Sequence, residues 1–391
     1  MSNRNGNEKL QDLFNKNIPV YSYSKLDSWS NCKFNWYNSY ILHKRSKDNI
    51  YSLIGGVIHN SIEGIYQHKN DLVDAKEKFN KIVIESEKKG IKFPENPATT
   101  KINYIKNINH FFEHYKILNT KMITEQFVLL KIPKFENAIK DEDFIWIQMY
   151  IDSIIPVFNE EKKLESVIVN DWKTSSKFDK HKLLKASKQL IIYKLGVEQN
   201  TGVPVSKIGW TMLKYVYCCY RTKGSKKNPP QIKRIMQERK DSVKYFYKKI
   251  VQDLIDSGMD TIKAELLAGK SVNENSFDVL PQFVKDKYWI EDCFLEYEFN
   301  NEIIEECKQW VLNTVNEIES LDKELKNYPP VKIDEKNSYF CHNLCGRPDC
   351  IYLKKYIYKN SQKFKKEKKE EQITKEMGKI GKKINLDSLF K

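Results

Sequence analysis

The 391-residue sequence has no apolar run long enough to cross a bilayer, so nothing in it is expected to span a membrane. Its first residues, MSNRNGNEKLQDLFNKN, are polar and lack the apolar segment of a secretory signal. No GxxxxGKS or GxxxxGKT motif occurs, which excludes ATP hydrolysis through a P-loop. Together these absences predict a protein of the reducing cytoplasm without a membrane partner.

Acidic residues are scarce relative to basic ones. Lys and Arg number 67 against 52 for Asp and Glu, which gives a net charge of +15 and a pI of about 9.1. This surplus favours a polyanionic partner, and nucleic acid before an acidic membrane surface. A Lys- and Asn-rich genome that inflates the lysine count is the alternative, and composition alone leaves it open.

Apolar patterns indicate helices first and a strand meander second. Helical patterns occupy residues 23–40, the stretch after Gly55–Gly56, 71–89 and 101–118. Three strand-like segments follow, MITEQFVLLKIP, FIWIQMYIDSIIPVF and LESVIVNDWKTS, and then a helix at 179–198 and a strand at 207–218. Further helical patterns lie at 241–267 and 300–325. This order predicts an α/β or α+β core with added helices.

Two of the strand patterns end in acidic residues, Asp152 and Asp171. Residues two apart on a strand share a face, so Lys173 points the same way as Asp171 while Trp172 points away. Two carboxylates beside an ammonium suit Mg²⁺ or Mn²⁺ held with several waters. The metal would activate a water against a phosphate, and the lysine would orient or deprotonate that water. A solvent-exposed salt bridge at a strand end is the alternative.

Other candidates lie on either side of these strands. His59 follows the glycine pair, and imidazole is a common third ligand for such a metal, although a lone histidine on an amphipathic helix is usually structural. Gln189 and Tyr193 are four residues apart and share one helix face, from which they would contact a phosphate or the substrate. Core packing is the alternative for the tyrosine.

The segments GGVIH, IDSII, VIVNDWKTS and QLIIY occur in this order within about residues 20–220. In sequence and spacing they resemble the RecB-like branch of the PD-(D/E)xK nuclease superfamily. The resemblance implies metal ligands at His59, Asp152, Asp171 and the Trp172 carbonyl, a catalytic lysine at Lys173, the Gln and Tyr of the family at Gln189 and Tyr193, and a further acidic residue at Glu125. One departure is visible, because Met149 stands where the family usually has glycine.

The resemblance implies a restriction-endonuclease-like α/β core, with a mixed central sheet flanked by helices and extra helices around it. It also implies a Mg²⁺- or Mn²⁺-dependent deoxyribonuclease of bacterial or phage origin, in the bacterial or host cytoplasm. The expected activity is exonuclease action on single strands or DNA ends in recombination, repair or replication, with any helicase as a separate partner. A catalytically weak or inactive DNA-binding accessory factor on the same fold is the alternative.

Eight cysteines in a reducing compartment are expected to be free thiols or metal ligands. Three cluster in YFCHNLCGRPDC, at Cys341, Cys345 and Cys350. In the CRISPR-adaptation and AddB-type members of the branch, one upstream cysteine and three C-terminal ones bind a [4Fe–4S] cluster, and Cys32 stands in the upstream place. The resemblance therefore implies a four-cysteine C-terminal clasp.

The cysteine spacing departs from the family, because Cys-x3-Cys-x4-Cys replaces Cys-x2-Cys-x5-Cys. A structural Zn²⁺ with four thiolates, or a mixed site with His342, stays open. The other four cysteines, Cys218, Cys219, Cys293 and Cys307, are expected to be buried free thiols.

The sequence predicts three regions: a nuclease core at 1–220, a helical extension at 221–360 that closes back through the cysteines, and a charged flexible tail at 361–391. The tail ends in NLDSLF, which is similar to the C-terminal sliding-clamp-binding peptides of phage replication and late-transcription proteins. Leu386, Leu389 and Phe390 would then dock on a clamp. A tail that packs back on the fold is the alternative.

Overall fold

The computed structural model describes residues 6–222, 224 and 229–354. The expected clamp-docking residues Leu386, Leu389 and Phe390 lie outside them. In the described part, the helices are α1 (Glu8–Asn15), α2 (Tyr23–Asn31), α3 (Lys33–Tyr40), α4 (Ile50–Tyr66), α5 (Leu72–Lys88), α6 (Thr100–His114), α7 (Lys180–Thr201), α8 (Tyr247–Asp256), α9 (Thr261–Glu274), α10 (Gln282–Lys285), α11 (Asn301–Ser320) and α12 (Ser338–Asn343). The strands are β1 (Val20–Tyr21), β2 (Ile123–Pro133), β3 (Phe144–Phe158), β4 (Leu164–Lys173), β5 (Val205–Arg221), β6 (Ile232–Glu238) and β7 (Tyr288–Tyr297).

The chain divides into two compact units. The sheet unit comprises the described parts of Met1–Leu26 and Asn49–Glu317, and the cysteine unit those of Asp27–Asp48 and Ile318–Lys391. The predicted boundary at residue 220 stays a prediction, although β6 and β7, which follow it, belong to the same sheet as the earlier strands.

The sheet is mixed. Strand β3 pairs antiparallel with β2 and β4, and it pairs parallel with the short β1. Strand β4 pairs parallel with β5, and α7 makes the crossover between them. Strands β6 and β7 pair antiparallel with β5. A mixed sheet with flanking helices confirms the predicted α/β class and fits a restriction-endonuclease-like core.

A helical layer formed by α4, α5 and α6 packs around two side chains of the sheet, Trp172 of β4 and Leu213 of β5. The residues of this cluster include Ile54, Ile58, Ile62, Phe79 and Phe111, each with no exposed surface. Burying one such side chain stabilises a fold by about 1.5–3 kcal/mol. The layer therefore holds α4 firmly against the strand that carries Asp171 and Lys173.

Helix α4 starts earlier than its glycines indicate. Asn49 Oδ1 accepts a 3.0 Å hydrogen bond from the Ser52 backbone N–H, and the Ser52 hydroxyl completes the capping box. Gly55 and Gly56 thus lie inside the helix, so the expectation of a start after them was wrong. The cap decides the boundary, because neither glycine needs a non-helical conformation.

Two other expectations differ from the structure. The helical pattern at 23–40 is interrupted at Cys32, whose φ of −165° and ψ of 107° are extended, and α3 begins at the next residue. Strands β6 and β7 were not foreseen. Charged residues such as Arg234 in β6 and Glu291 in β7 weaken the alternation of apolar and polar residues that indicates a strand. The position of both strands is fixed by their pairing with β5.

Candidate active site

Antiparallel pairing of β3 with β4 brings the two predicted aspartates together. Ser153 lies opposite Asn170 in the register, which puts the preceding residue of β3 beside the following residues of β4. Asp152 Oδ2 accepts a 3.0 Å hydrogen bond from the backbone N–H of Trp172. The first carboxylate is therefore tied to the strand that carries the second.

Asp171 and Lys173 share one face of β4, as the period of a strand requires. Lys173 Nζ lies 2.6 Å from Asp171 Oδ2, and the aspartate side chain is only 2% exposed. No hydrogen bond of good geometry reaches this oxygen, so the ion pair is its one polar contact among the described residues. A buried carboxylate oxygen with spare capacity is available to a cation.

Helix α4 delivers the predicted imidazole to the same point. His59 Nδ1 lies 3.2 Å from Asp152 Oδ2, and its ring meets the ring of Trp172 edge-on at 6.2 Å. The aromatic contact and the carboxylate fix the orientation of the imidazole. His59 is therefore part of the carboxylate cluster rather than an isolated core histidine.

Helix α7 supplies the remaining predicted residues. Lys173 Nζ donates a 3.4 Å hydrogen bond to Gln189 Oε1, and Gln189 Nε2 donates one of 2.8 Å to the Tyr193 hydroxyl. The structure thus links every residue of the predicted set, in the order His59, Asp152, Trp172, Asp171, Lys173, Gln189 and Tyr193.

Burial and the neighbouring charges shift several pKa values at this point. Burial raises the pKa of Asp171, and Asp152 raises it further while Lys173 opposes the shift. Burial lowers the pKa of Lys173, but Asp171 and Asp152 outweigh it and leave this pKa above its usual value. Burial likewise lowers the pKa of His59, and Asp152 more than offsets it. The carboxylates therefore shift the pKa values of Lys173 and His59 in the same direction, upward, against the effect of burial.

Two further carboxylates belong to the cluster, and the sequence pointed to only one of them. Glu125 has a φ of +49°, and burial, followed by the negative charges of Asp152 and Glu63, raises its pKa. Glu63 was missed, although it lies one turn after His59 on the same face of α4. That i, i+4 spacing was the available signal.

A buried polar bridge behind the aspartates was also missed. Asn170 Nδ2 donates a 2.8 Å hydrogen bond to Ser153 Oγ, and Asn170 Oδ1 accepts one of 2.7 Å from the Thr211 hydroxyl. It connects β3, β4 and β5 immediately before Asp171. Only the register of three strands reveals it, so no signal in the sequence could have done so.

An open cavity of about 330 Å³ adjoins this cluster. Gln189 and Tyr193 form one side of it, and Tyr23, Gln148 and Tyr150 lie among the other lining residues. The Gln148 side-chain oxygen is buried and has no hydrogen-bond partner among the described residues. The cavity therefore offers aromatic and amide groups directly beside the lysine-bonded glutamine.

The donor set suits a hard divalent cation. It consists of one imidazole and several carboxylates, which are the oxygen and nitrogen ligands that such a cation accepts. Among the described residues, one of the carboxylate oxygens, Asp171 Oδ2, accepts no hydrogen bond. Within residues 6–222, 224 and 229–354, no group of three or more His, Cys, Asp or Glu side chains is already arranged to hold a metal ion. Two of the carboxylates contact other groups of the site: Asp152 Oδ2 lies 3.2 Å from His59 Nδ1, and Asp171 Oδ2 lies 2.6 Å from Lys173 Nζ.

The cysteine unit contains all four cysteines of the predicted clasp, Cys32, Cys341, Cys345 and Cys350, each partly exposed. Burial, and then the neighbouring thiols of this set, raise the pKa values of Cys341 and Cys345. The other four cysteines are buried free thiols, as expected.

The turn that contains Cys345 is tightly packed. Gly346 has a φ of +64°, and a Cβ there would lie 2.3 Å from the Lys47 carbonyl oxygen, so only glycine fits. The Arg347 side chain is 3% exposed and donates to Asn35 Oδ1 at 2.8 Å and to the Lys44 carbonyl at 2.7 Å. The turn that carries Cys345 is thereby anchored beside α3, which follows Cys32 directly.

The carboxylates of Asp152 and Asp171 and the ammonium of Lys173 meet on paired strands, with a histidine from a preceding helix. Asp152 lies within β3, which continues to Phe158, so the expectation that a strand ends at Asp152 was wrong. Residues 20–309 match the family model of the PD-(D/E)XK nuclease superfamily. The chain therefore belongs to this superfamily, and its function is in general terms that of a nuclease. No curated protein matches the chain. Of the helices in the described part, none has the length and apolar character needed to cross a membrane.

Proposed function

We propose that this protein is a Mg²⁺- or Mn²⁺-dependent deoxyribonuclease of the RecB-like branch. The observation that carries the proposal is the Asp171–Lys173 ion pair beside Asp152, with His59 on the same cluster. In this role His59, Asp152, Asp171 and the Trp172 carbonyl hold the metal. When bound, the metal supplies charge stabilisation at the phosphate and a more acidic water.

The protein's own groups position the reaction. The ammonium of Lys173 orients the attacking water and offsets charge that develops on the phosphate. Gln189 holds Lys173 through its amide oxygen, and Tyr193 holds Gln189 in turn. Burial, and then the negative charges of Asp171 and Asp152, keep the pKa of Tyr193 well above its usual value, so its hydroxyl stays protonated. The pair thus presents polar groups to a nucleotide in the adjacent cavity.

DNA single strands or ends are the proposed substrate, and exonuclease action in recombination, repair or replication is the proposed role. The net charge of +15 favours a polyanion, and an open cavity beside the cluster admits a strand end. A separate helicase and a sliding clamp, contacted through Leu386, Leu389 and Phe390, are the proposed partners.

The four cysteines are proposed to hold a [4Fe–4S] cluster, with a structural Zn²⁺ as the alternative. The support is that Cys32, Cys341, Cys345 and Cys350 lie within one unit and that four thiols are the donor set that either group uses. The group would stabilise the cysteine unit and take no part in cleavage. Iron and zinc analysis of anaerobically purified protein, with its absorption spectrum, separates the two.

Cleavage of labelled single-stranded DNA with Mn²⁺ tests the nuclease. Asp171→Ala and Lys173→Ala are each expected to lose activity by a factor of about 10³. Lys207→Ala is the matched control, because Lys207 lies on the adjacent strand and forms only an exposed pair with Glu296. If either site variant cleaves at the wild-type rate, the assignment fails. A wild-type protein that binds DNA without cleaving it would instead support the accessory factor.

A further inference from the structure

Outside the active site, lysine and tyrosine side chains crowd together at the start of α8. We refer to Lys244, Tyr245, Tyr247, Lys248 and Lys249 as the lysine–tyrosine surface. These residues, with Val272 of α9, line an open cavity of about 560 Å³. No residue of the proposed nuclease site contributes to this cavity.

The three lysines of this surface form no ion pairs with the described residues. Lys244, Lys248 and Lys249 are exposed, and in the described part of the chain none of them forms an ion pair. Neighbouring cations are paired: Lys240 contacts Glu238, and Lys287 contacts Asp253. Three unpaired ammonium groups within six residues leave a local surplus that an anionic partner would neutralise.

The two tyrosines of the surface are half-buried and pack against a buried hydrophobic cluster. Tyr245 meets the ring of Phe246 edge-on at 5.0 Å, and Phe246 is fully buried. Lys249 Nζ lies 4.7 Å above the ring of Tyr220, the next-to-last residue of β5. Rings anchored in a core and edged by cations are the composition of a stacking platform for bases.

We propose that the lysine–tyrosine surface binds a segment of single-stranded nucleic acid outside the catalytic site. The lysines contact phosphates, and the exposed faces of Tyr245 and Tyr247 receive bases. An acidic protein or a lipid headgroup would use the same charges, but a single strand offers a phosphate and a planar base in every unit, which matches cations placed beside aromatic rings. The inference rests on the proposed nuclease function, because it assigns a remote contact to the same strand.

The distance between the two sites follows from β5. Lys173 pairs with Met212 in the register, and Tyr220 lies eight residues further along the strand. At about 3.3 Å per residue, this is roughly 25 Å. A short oligonucleotide at the active site cannot reach the surface, whereas a longer strand can occupy both. The surface is therefore expected to contribute to affinity only above a threshold length.

Metal-free binding measurements test this without requiring cleavage. The probe is fluorescent oligothymidine of about 30 nucleotides, compared with one of about 3, in EDTA. We expect the triple variant K244E/K248E/K249E to bind the long probe at least tenfold more weakly and the short probe as the wild type does. The salt dependence of long-probe binding should fall by about 2 in log–log slope.

The matched control is K88E/K89E/K92E, three exposed lysines around the end of α5 that carry no ion pair in the described residues. It changes the total charge equally, so it should leave long-probe binding within about threefold of wild type. Equal losses in both triple variants, or no loss in the first, overturn the proposal.

Two further variants extend the test. Tyr247→Leu should weaken binding of single strands but not of duplex DNA. If charge reversal impairs folding, the neutral variant K244Q/K248Q/K249Q, checked for wild-type circular dichroism, replaces it. Failure of the nuclease proposal shows separately, as absence of Mn²⁺-dependent cleavage by the wild type.

Discussion

The backbone N–H of Trp172 donates a 3.0 Å hydrogen bond to Oδ2 of Asp152, twenty residues earlier in the chain. This bond joins the two strands that carry the carboxylates, and it fixes the peptide group between Asp171 and Trp172. Asp152 thus has a structural contact as well as its proposed place in the metal site, and the two can be separated experimentally.

Asp152→Asn is expected to fold normally and to lose DNA cleavage by a factor of about 10² or more. The amide oxygen of asparagine can still accept from Trp172, but the negative charge proposed to hold the metal is gone. Asp152→Ala should lose the hydrogen bond as well and lower the unfolding free energy by about 1 kcal/mol more than the asparagine variant. Urea unfolding and a Mn²⁺ cleavage assay measure the two effects. Normal cleavage by Asp152→Asn would remove Asp152 from the site.

Arg239→Ala is expected to destabilise the protein by about 3–5 kcal/mol. Its side chain is 1% exposed, donates a 2.8 Å hydrogen bond to the Leu213 carbonyl and pairs with Asp292. Removal leaves a carboxylate and a carbonyl without their partner. Arg234→Ala is the control, because its 2.9 Å pair with Glu291 is half exposed and should be worth less than about 1 kcal/mol. Equal unfolding free energies for the two variants would contradict the prediction.

Acid sensitivity should come in part from His110. Burial, followed by the positive charges of His114 and Arg239, lowers its pKa from 6.5 to about 3. As the pH falls from 6.5 to 3, His110 binds a proton in the unfolded state but not in the folded state. The free energy of unfolding therefore declines across that window. His110→Gln should lose less unfolding free energy than wild type between pH 7.5 and pH 4.5. The exposed His181→Gln serves as the control, and an unchanged pH slope in His110→Gln would refute the assignment.

Arg347→Leu should disrupt the cysteine unit. The guanidinium is buried among acceptors from Asn35, Ser39 and Lys44, and leucine leaves all of them unsatisfied beside Cys345. We expect less than half of the wild-type iron or zinc per chain and an earlier unfolding step. Arg45→Leu, whose side chain is 85% exposed, should keep wild-type values. Full metal content in Arg347→Leu would show that the turn is held by other contacts.

The sequence indicated which of the proposed site residues share a face, because strand alternation and helix spacing are local properties. Asp171 and Lys173 share a face in any strand, and Gln189 and Tyr193 share one in any helix. Glu63 follows the same rule relative to His59, and it was missed because one more glutamate on a helix carries little information. By contrast, the capping box at Asn49 was a local signal that the glycine pair obscured.

The consequence of Met149 was decided only by tertiary structure. This residue replaces a glycine of the resembled family, and its side chain fills the space beside Gly196 of α7, where a Cβ would lie 3.0 Å from its sulfur. The bulk is accommodated by a glycine 47 residues away, a relationship that no local pattern can express.

By itself, the sequence determined which residues could do chemistry, the α/β class and the net charge of the chain, since these depend on residue types and on the periods of single elements. Tertiary structure decided that β6 and β7 extend the sheet, that Asn170 ties three strands together next to the aspartates, and that exposed lysines line one cavity with tyrosines at the start of α8. Those facts depend on pairing and packing between segments far apart in the chain. Their energies exist only once the chain has folded, so no single segment encodes them.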